Sequence, residues 1–186
     1  EIGKYAASRG VDNTRQDLAG TTFTHQPPEG GSAGTQLSAR YSISAYVRWD
    51  YDPASGRYLR FQDAEEDQNN QNEVYAPFLD RLTNQQVGAE NVVVLLANHE
   101  FILRQANNEI VNIQLGGSGT AYAFRDGLVY QLLWNRPTPE AQILLTFPDG
   151  TPFALKPGST WYQVLGAASL TQVKEDGAWR FELRFP

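Results

Sequence analysis

The side chains best equipped for chemistry in this chain are Arg48, Asp50, Arg60, Asp80 and His99, joined by the aromatic and basic set Trp134, Arg136 and Trp161. Two arginines held side by side can clamp a carboxylate or phosphate bidentately. The same arginines form an internal ion-pair network if Asp50 or Asp80 neutralises them. Asp50 and Asp52 stand at i, i+2 on one strand face, a separation that suits a glycosidase pair only if a sugar fits between them. His99, followed by Glu100, begins a zincin-like string, but Leu103 stands where the second histidine is required, so a two-histidine zinc face cannot form. His99 is then either a general base or binding residue oriented by Asp80, or a strand-end histidine bonded to backbone. Trp134, Arg136 and Trp161 suit a sugar or peptide surface unless packing claims them. His25, in a Pro-rich loop, reads as a surface residue.

Other motifs exclude more than they offer. Gly116-Gly117-Ser118-Gly119 lacks the helix that a phosphate loop requires, and Thr120 occupies the last glycine position of a nucleophile elbow. A sharp connection into a strand is the better reading, with Trp134 covering Gly119. The chain has no cysteine, which removes disulfides, thiolate zinc and cysteine catalysis. No cofactor motif is present, and the acidic stretch lacks calcium-loop spacing.

The elements that must position these residues read mainly as β. Asp126-Gly127, Asp149-Gly150 and Asp176-Gly177 each separate alternating apolar and polar stretches, the signature of two-residue hairpins. At Asp126-Gly127 this pairs Ala123 with Tyr130, Ala121 with Leu132 and Gly119 with Trp134, small against large throughout. At the last turn it pairs Leu170 with Leu183, Gln172 with Phe181 and Lys174 with Trp179, the last a cation–π pair.

From Leu37 to Tyr51 every odd position is apolar, which predicts half-buried strand bent near Ser42 to Ser44. After the turn Asp52 to Gly56, burial favours a five-residue loop that sets Trp49 opposite Leu59 and Val47 opposite Phe61. That register puts Arg48 opposite Arg60, flanked by Asp50 and Tyr58. Asn91 to Ala97 is a continuous apolar run, expected to be a central strand buried on both faces. A short helix is expected from Pro77, with Phe78, Leu79 and Leu82 as its apolar face. Ile2 to Ser8 reads as a helix end and Gly10 to Gly20 as a connector. Thr21 to Thr24 reads as a short strand. The predicted organisation is a helix end and connector over 1–20 and a single, mainly antiparallel β domain over 21–186, α+β being the neighbouring class.

The net charge of −6 over 186 residues is concentrated in 63–73, where five acidic residues occur without a basic one. Outside that segment the charge is nearly balanced. This acidic, Asn/Gln-rich stretch is expected to be a mobile, solvated loop. No basic stripe suits a phosphate backbone, so nucleic acid is not an expected partner. No apolar run of about 18 residues could span a bilayer as a helix. A chain beginning at Glu1 and containing no methionine reads as a processed or excised piece of a longer protein.

Several strings together resemble the YerB-like family of bacterial lipoproteins, whose function is unknown. They are Asp52-Pro53-Ala54-Ser55-Gly56-Arg57-Tyr58-Leu59-Arg60-Phe61, Asn91-Val92-Val93-Val94-Leu95, Gly117-Ser118-Gly119-Thr120-Ala121 through Asp126-Gly127 to Trp134-Asn135-Arg136, and Pro157-Gly158-Ser159-Thr160-Trp161. The resemblance covers roughly Leu37 to Leu165. It implies the C-terminal part of a two-part protein, tethered outside the membrane by a lipidated cysteine beyond these residues. A Gly- and His-containing link that precedes the Asp80 position in the family is replaced here by the acidic segment.

The functional expectation is a non-catalytic, extracytoplasmic binding or interaction module of the bacterial cell envelope. Its expected partners are a cell-wall fragment, an anionic small ligand or its own N-terminal part. The alternatives are a cell-envelope hydrolase using His99 with Asp80 or Asp50, and a structural domain packing on the N-terminal part. The expected binding set is Arg48, Asp50, Arg60, Asp80, His99, Trp134 and Arg136.

Overall fold

A computed structural model describes residues 2–10, 18–69, 71–105, 108–174 and 177–185. In chain order the elements are α1 (Ile2–Ser8), β1 (Thr22–Phe23), β2 (Ser32–Ala33), β3 (Gln36–Ser42), β4 (Ala45–Asp52), β5 (Arg57–Asp63), β6 (Tyr75–Pro77), β7 (Gly88–Ala89) and β8 (Asn91–Gln105). They continue as β9 (Asn108–Gln114), β10 (Gly117–Arg125), β11 (Leu128–Arg136), β12 (Leu144–Thr146), β13 (Ala154–Leu155), β14 (Thr160–Gly166), β15 (Leu170–Val173) and β16 (Ala178–Glu182). The fold is mainly β, with one short helix among the described residues. The connector expected over 10–20 lies largely outside the described residues.

Two seven-stranded sheets carry the domain. The first runs β12-β11-β10-β8-β14, with β2 on β11 and β9 on β8. The second runs β15-β16-β3-β4-β5-β6, with β7 on β5. Most pairs are antiparallel, as hairpins dictate, but β14 joins β8 and β16 joins β3 in parallel. The Thr21–Thr24 strand appears as β1, parallel to β13.

The apolar run of β8 explains the layering. Val92 and Val94 face the second sheet, where Leu37, Ala39, Val47, Trp49, Tyr58 and Phe181 meet them. Val93, Leu95 and Ala97 face the other way, against Leu132, Trp134, Leu145, Phe153 and Leu155. Val92 through Leu95 are wholly buried, which is why the run shows no alternation.

The Asp126-Gly127 hairpin has the expected register, Ala123 with Tyr130, Ala121 with Leu132 and Gly119 with Trp134. Both turn residues take positive φ, 53° and 75°, as a two-residue turn of this kind requires.

Other expectations are corrected. Leu37 to Tyr51 is a hairpin, with Ile43 and Ser44 between Ser42 and its partner Ala45. Alternation survives because Leu37 pairs with Trp49 and Ala39 with Val47, so odd positions share one face. No helix starts at Pro77: it pairs with Phe61, and Leu79 bridges Gln86. The Asp80 main chain closes this second hairpin with Gln85 and Asn84, leaving Leu82 95% exposed. Around Asp149-Gly150 the loop is one residue longer than expected, closed by Phe147 with Thr151 and Gly150.

The last hairpin is shifted by one residue from the expected register, with Thr171 opposite Phe181 and Val173 opposite Trp179. Its Lys174 main chain bonds Ala178, so the loop holds three residues, of which only Gly177 is described. Lys174 and Trp179 therefore lie on opposite faces, and the expected cation–π pair does not form.

Candidate functional site: a charged trough on the second sheet

The turn after Asp52 decides where the arginines point. The Asp52 carboxylate accepts bonds from the Ala54 and Ser55 amides, both at 3.1 Å, and its carbonyl accepts from Gly56 at 2.9 Å. Asp52 thus closes a four-residue loop from the strand itself and pairs with Arg57. Trp49 consequently faces Arg60, and Arg48 faces Phe61, in place of the five-residue register expected. Arg48 and Arg60 project from opposite faces of the sheet, so the side-by-side clamp does not form.

Burial argued against this register because it sends a cation inward, yet aromatic rings receive it. The Arg60 guanidinium lies 4.1 Å from the Phe78 ring centroid, 5.0 Å from Trp161 and 6.0 Å from Trp49. Such faces attract a cation even where water is scarce. Burial nevertheless draws its proton affinity below the usual arginine range, with Asp63 and Tyr41 opposing.

Outward-facing residues of the second sheet form the charged set. Ser38 and Arg40 on β3, Arg48 and Asp50 on β4, Phe61 on β5, Tyr75 on β6 and Arg180 and Glu182 on β16 share this face by cross-strand pairing. Arg48 lies 4.7 Å from both the Phe61 and Tyr75 ring centroids. It also pairs with Asp50 at 3.0 Å.

The acidic segment is a structural partner of this face, in place of the mobile, solvated loop expected. Asp67 is 3% exposed and pairs with Arg40 at 2.9 Å, while its other oxygen accepts the Gln71 and Asn72 amides. Burial works to raise the Asp67 pKa, but those amides and Arg40 hold it below the usual range. Glu73 pairs with Arg180 at 2.8 Å and Arg40 at 2.9 Å, and it accepts the Tyr75 hydroxyl at 2.5 Å. Burial opposes ionisation of Glu73, yet bonds from Arg180, Tyr75 and Arg40 pull its pKa down to about 2. The Tyr75 hydroxyl is pushed upward, by burial first and by Glu73 second.

A trough of about 450 Å³ runs beside this network, lined by Gln71, Glu73, Tyr75, Gln172, Lys174, Arg180 and Glu182. A second recess of about 230 Å³ shares Glu73, Tyr75, Lys174 and Arg180 and extends past Gln36 and Ser38 to Arg48. Lys174 is exposed and has no carboxylate partner among the described residues. The trough therefore offers one uncommitted cation among amides, hydroxyls and paired charges.

The remaining expected site residues are dispersed. Asp80 is exposed and caps its own turn, accepting from the Leu82 and Thr83 amides and the Thr83 hydroxyl, which hold its pKa low. His99, 8% exposed on β8, places Nδ1 2.9 Å from the Ala97 carbonyl and packs on Phe185. That geometry matches the backbone-bonded reading of this histidine. Asp50 is held by Arg48 and by Gln36 at 2.9 Å. Trp134 is buried, its Nε1 donating to the Leu96 carbonyl at 3.0 Å, so it is packing rather than binding surface. Arg136 lies elsewhere, on the lining of a mainly apolar cleft.

Arg40, Glu73, Tyr75, Lys174 and Arg180 were not among the expected site residues. The even spacing of Arg40 and Arg48 on one alternating stretch was an available sign. The return of Glu73 to Arg180, 107 positions away, left no local sign.

The class is thus a two-sheet β domain whose outer sheet carries a salt-bridged polar trough. Residues 37–162 match the C-terminal domain of a family described as protein of unknown function (DUF3048), and the chain belongs to that YerB-like family. It is also similar to the crystal structure of YerB protein from Bacillus subtilis, at 22% identity and a TM-score of 0.62. That likeness covers 88% of this chain and 49% of YerB, so the chain spans about half the length of that relative. No curated protein matches the chain.

Proposed function

We propose that this domain is a non-catalytic binding module of an extracytoplasmic bacterial lipoprotein, and that the charged trough takes a polar, carboxylate-bearing ligand such as a cell-wall fragment. The observation that carries this reading is the exposed Lys174, without a carboxylate partner among the described residues, in a trough whose other cations are each matched to a carboxylate. A ligand carboxylate on Lys174 would complete the charge pairing. Gln36, Ser38, Gln71 and Gln172 supply amides and a hydroxyl for sugar or peptide groups. Open, polar recesses of this kind bind wet ligands through many modest contacts.

The contacts favour binding over hydrolysis. His99, Asp80 and Asp50 are each bonded within separate local arrangements, so no base and orienting carboxylate meet. Extracytoplasmic tethering rests on the resemblance of the sequence to lipoproteins.

Isothermal titration of the chain with soluble, carboxylate-bearing cell-wall fragments tests the proposal. Saturable binding that weakens about ten-fold or more in Lys174→Ala supports it. Absence of binding, or equal affinity in that variant, refutes it.

A further inference from the structure

A cleft of about 480 Å³ lies away from the trough, beside the core on the other face of the first sheet. Its walls come from Phe23 on β1, Leu155 on β13, Tyr162 on β14 and Ile143 before β12. Phe23 is 45% and Tyr162 39% exposed, so two large rings on the lining keep bare apolar surface. The volume falls within the range of small-molecule sites, which combine apolar walls with a few fixed polar groups.

Arg136 is the one cation lining this cleft among the described residues. Its Nε donates to the Ala141 carbonyl at 2.8 Å, and Nη2 to the Pro139 carbonyl. Both acceptors are neutral main-chain groups of the following loop. They fix the guanidinium without cancelling its charge, and no carboxylate pairs with it among the described residues. Among the described residues, Nη1 has no partner. On the same lining, the Thr21 hydroxyl donates to the Gln142 side-chain carbonyl at 3.1 Å. Among the described residues the cleft therefore presents apolar walls with a single uncompensated positive charge.

We propose that this cleft binds an amphipathic anion: an apolar body seated against Phe23, Ile143, Leu155 and Tyr162, and one carboxylate bonded to Arg136. Charge complementarity selects the occupant. A neutral apolar molecule would leave the guanidinium unpaired, and a cationic amphiphile would be repelled. A carboxylate meets the fork of donors that arginine presents. This site is independent of the trough and survives if the trough takes no ligand.

The test uses octanoate, 1-octanol and octylamine below their micelle concentrations, titrated into the isotopically labelled chain and followed by heteronuclear NMR. Octanoate should bind saturably, with shifts centred on Phe23, Ile143, Leu155 and Tyr162, and at least ten-fold more tightly than octylamine. Arg136→Gln should lose about ten-fold or more for octanoate and leave 1-octanol unchanged. Because Arg136 also holds its loop, the wild-type shift map and the octanoate-to-octylamine ratio provide a test that needs no variant. Equal affinity for the three probes, shifts away from these residues, or no saturable binding would overturn the proposal.

Discussion

Trp49 lies directly across from Arg60 on the neighbouring strand, and this single pairing sends Arg48 and Arg60 to opposite faces of the second sheet. Arg48 lines the recess that adjoins the polar trough. Arg60 belongs to the packing between sheets, where Phe78, Trp161 and Trp49 surround it.

That division predicts different consequences for the two arginines. Arg60→Ala removes cation–aromatic contacts and the packing of a long aliphatic stem, and should cost about 1–3 kcal/mol in chemical denaturation. It should leave ligand affinity unchanged. Arg48→Ala, on a partly exposed surface pair, should cost under about 1 kcal/mol and weaken ligand binding. Interchanged effects would show that the faces are assigned wrongly.

Glu73 predicts a specific response to acid. Its pKa, about 2 in the folded chain against an ordinary 4.5, is depressed, so the folded state favours its ionised form. The stabilisation is fully present above the ordinary value and is lost as pH falls from about 4.5 toward 2. Denaturation midpoints should therefore decline over that interval, and Glu73→Gln should flatten the decline. An identical acid profile in the variant would contradict the role assigned to Arg180, Tyr75 and Arg40.

The close contact beneath Trp134 makes Gly119 intolerant of a side chain. A Cβ there would lie 2.6 Å from both the Leu96 carbonyl oxygen and Trp134 Nε1. Gly119→Ala should thus strain or break the indole bond and destabilise the chain by about 1–3 kcal/mol. Gly116→Ala, where a Cβ meets nothing within 4 Å, should stay within about 0.5 kcal/mol of wild type. Paired denaturation curves separate the two.

Buried Arg125 depends on its neighbour in the hairpin turn. Its Nε bonds Asp126 at 2.9 Å, while its other nitrogens hold the Ala154, Thr24 and His25 carbonyls. Asp126→Asn keeps a residue tolerant of positive φ but removes the charge, and should cost about 1–3 kcal/mol. Unchanged stability would show that Arg125 is satisfied by carbonyls alone.

What could be read from sequence was local. The run Asn91 to Ala97 marks a strand buried on both faces, and the small-to-large matching across Asp126-Gly127 specifies that register without reference to tertiary contacts. What was hidden depended on distant partners. The Trp49–Arg60 pairing required knowing that Phe78 and Trp161 would shelter a cation. The acidic segment looked solvated because Arg40 and Arg180, which order Asp67 and Glu73, come from other strands. The helix expected at Pro77 gave way to pairing with Phe61, a choice made by the sheet edge rather than by the segment.

The central claim is that the trough around Lys174 is the ligand surface, and amide chemical-shift mapping with a soluble, carboxylate-bearing cell-wall fragment tests it most directly. Saturable shifts should concentrate at Gln36, Arg48, Glu73, Lys174 and Arg180, and Lys174→Ala should abolish them in a folded variant. Shifts centred elsewhere, or no saturable shift, would contradict it.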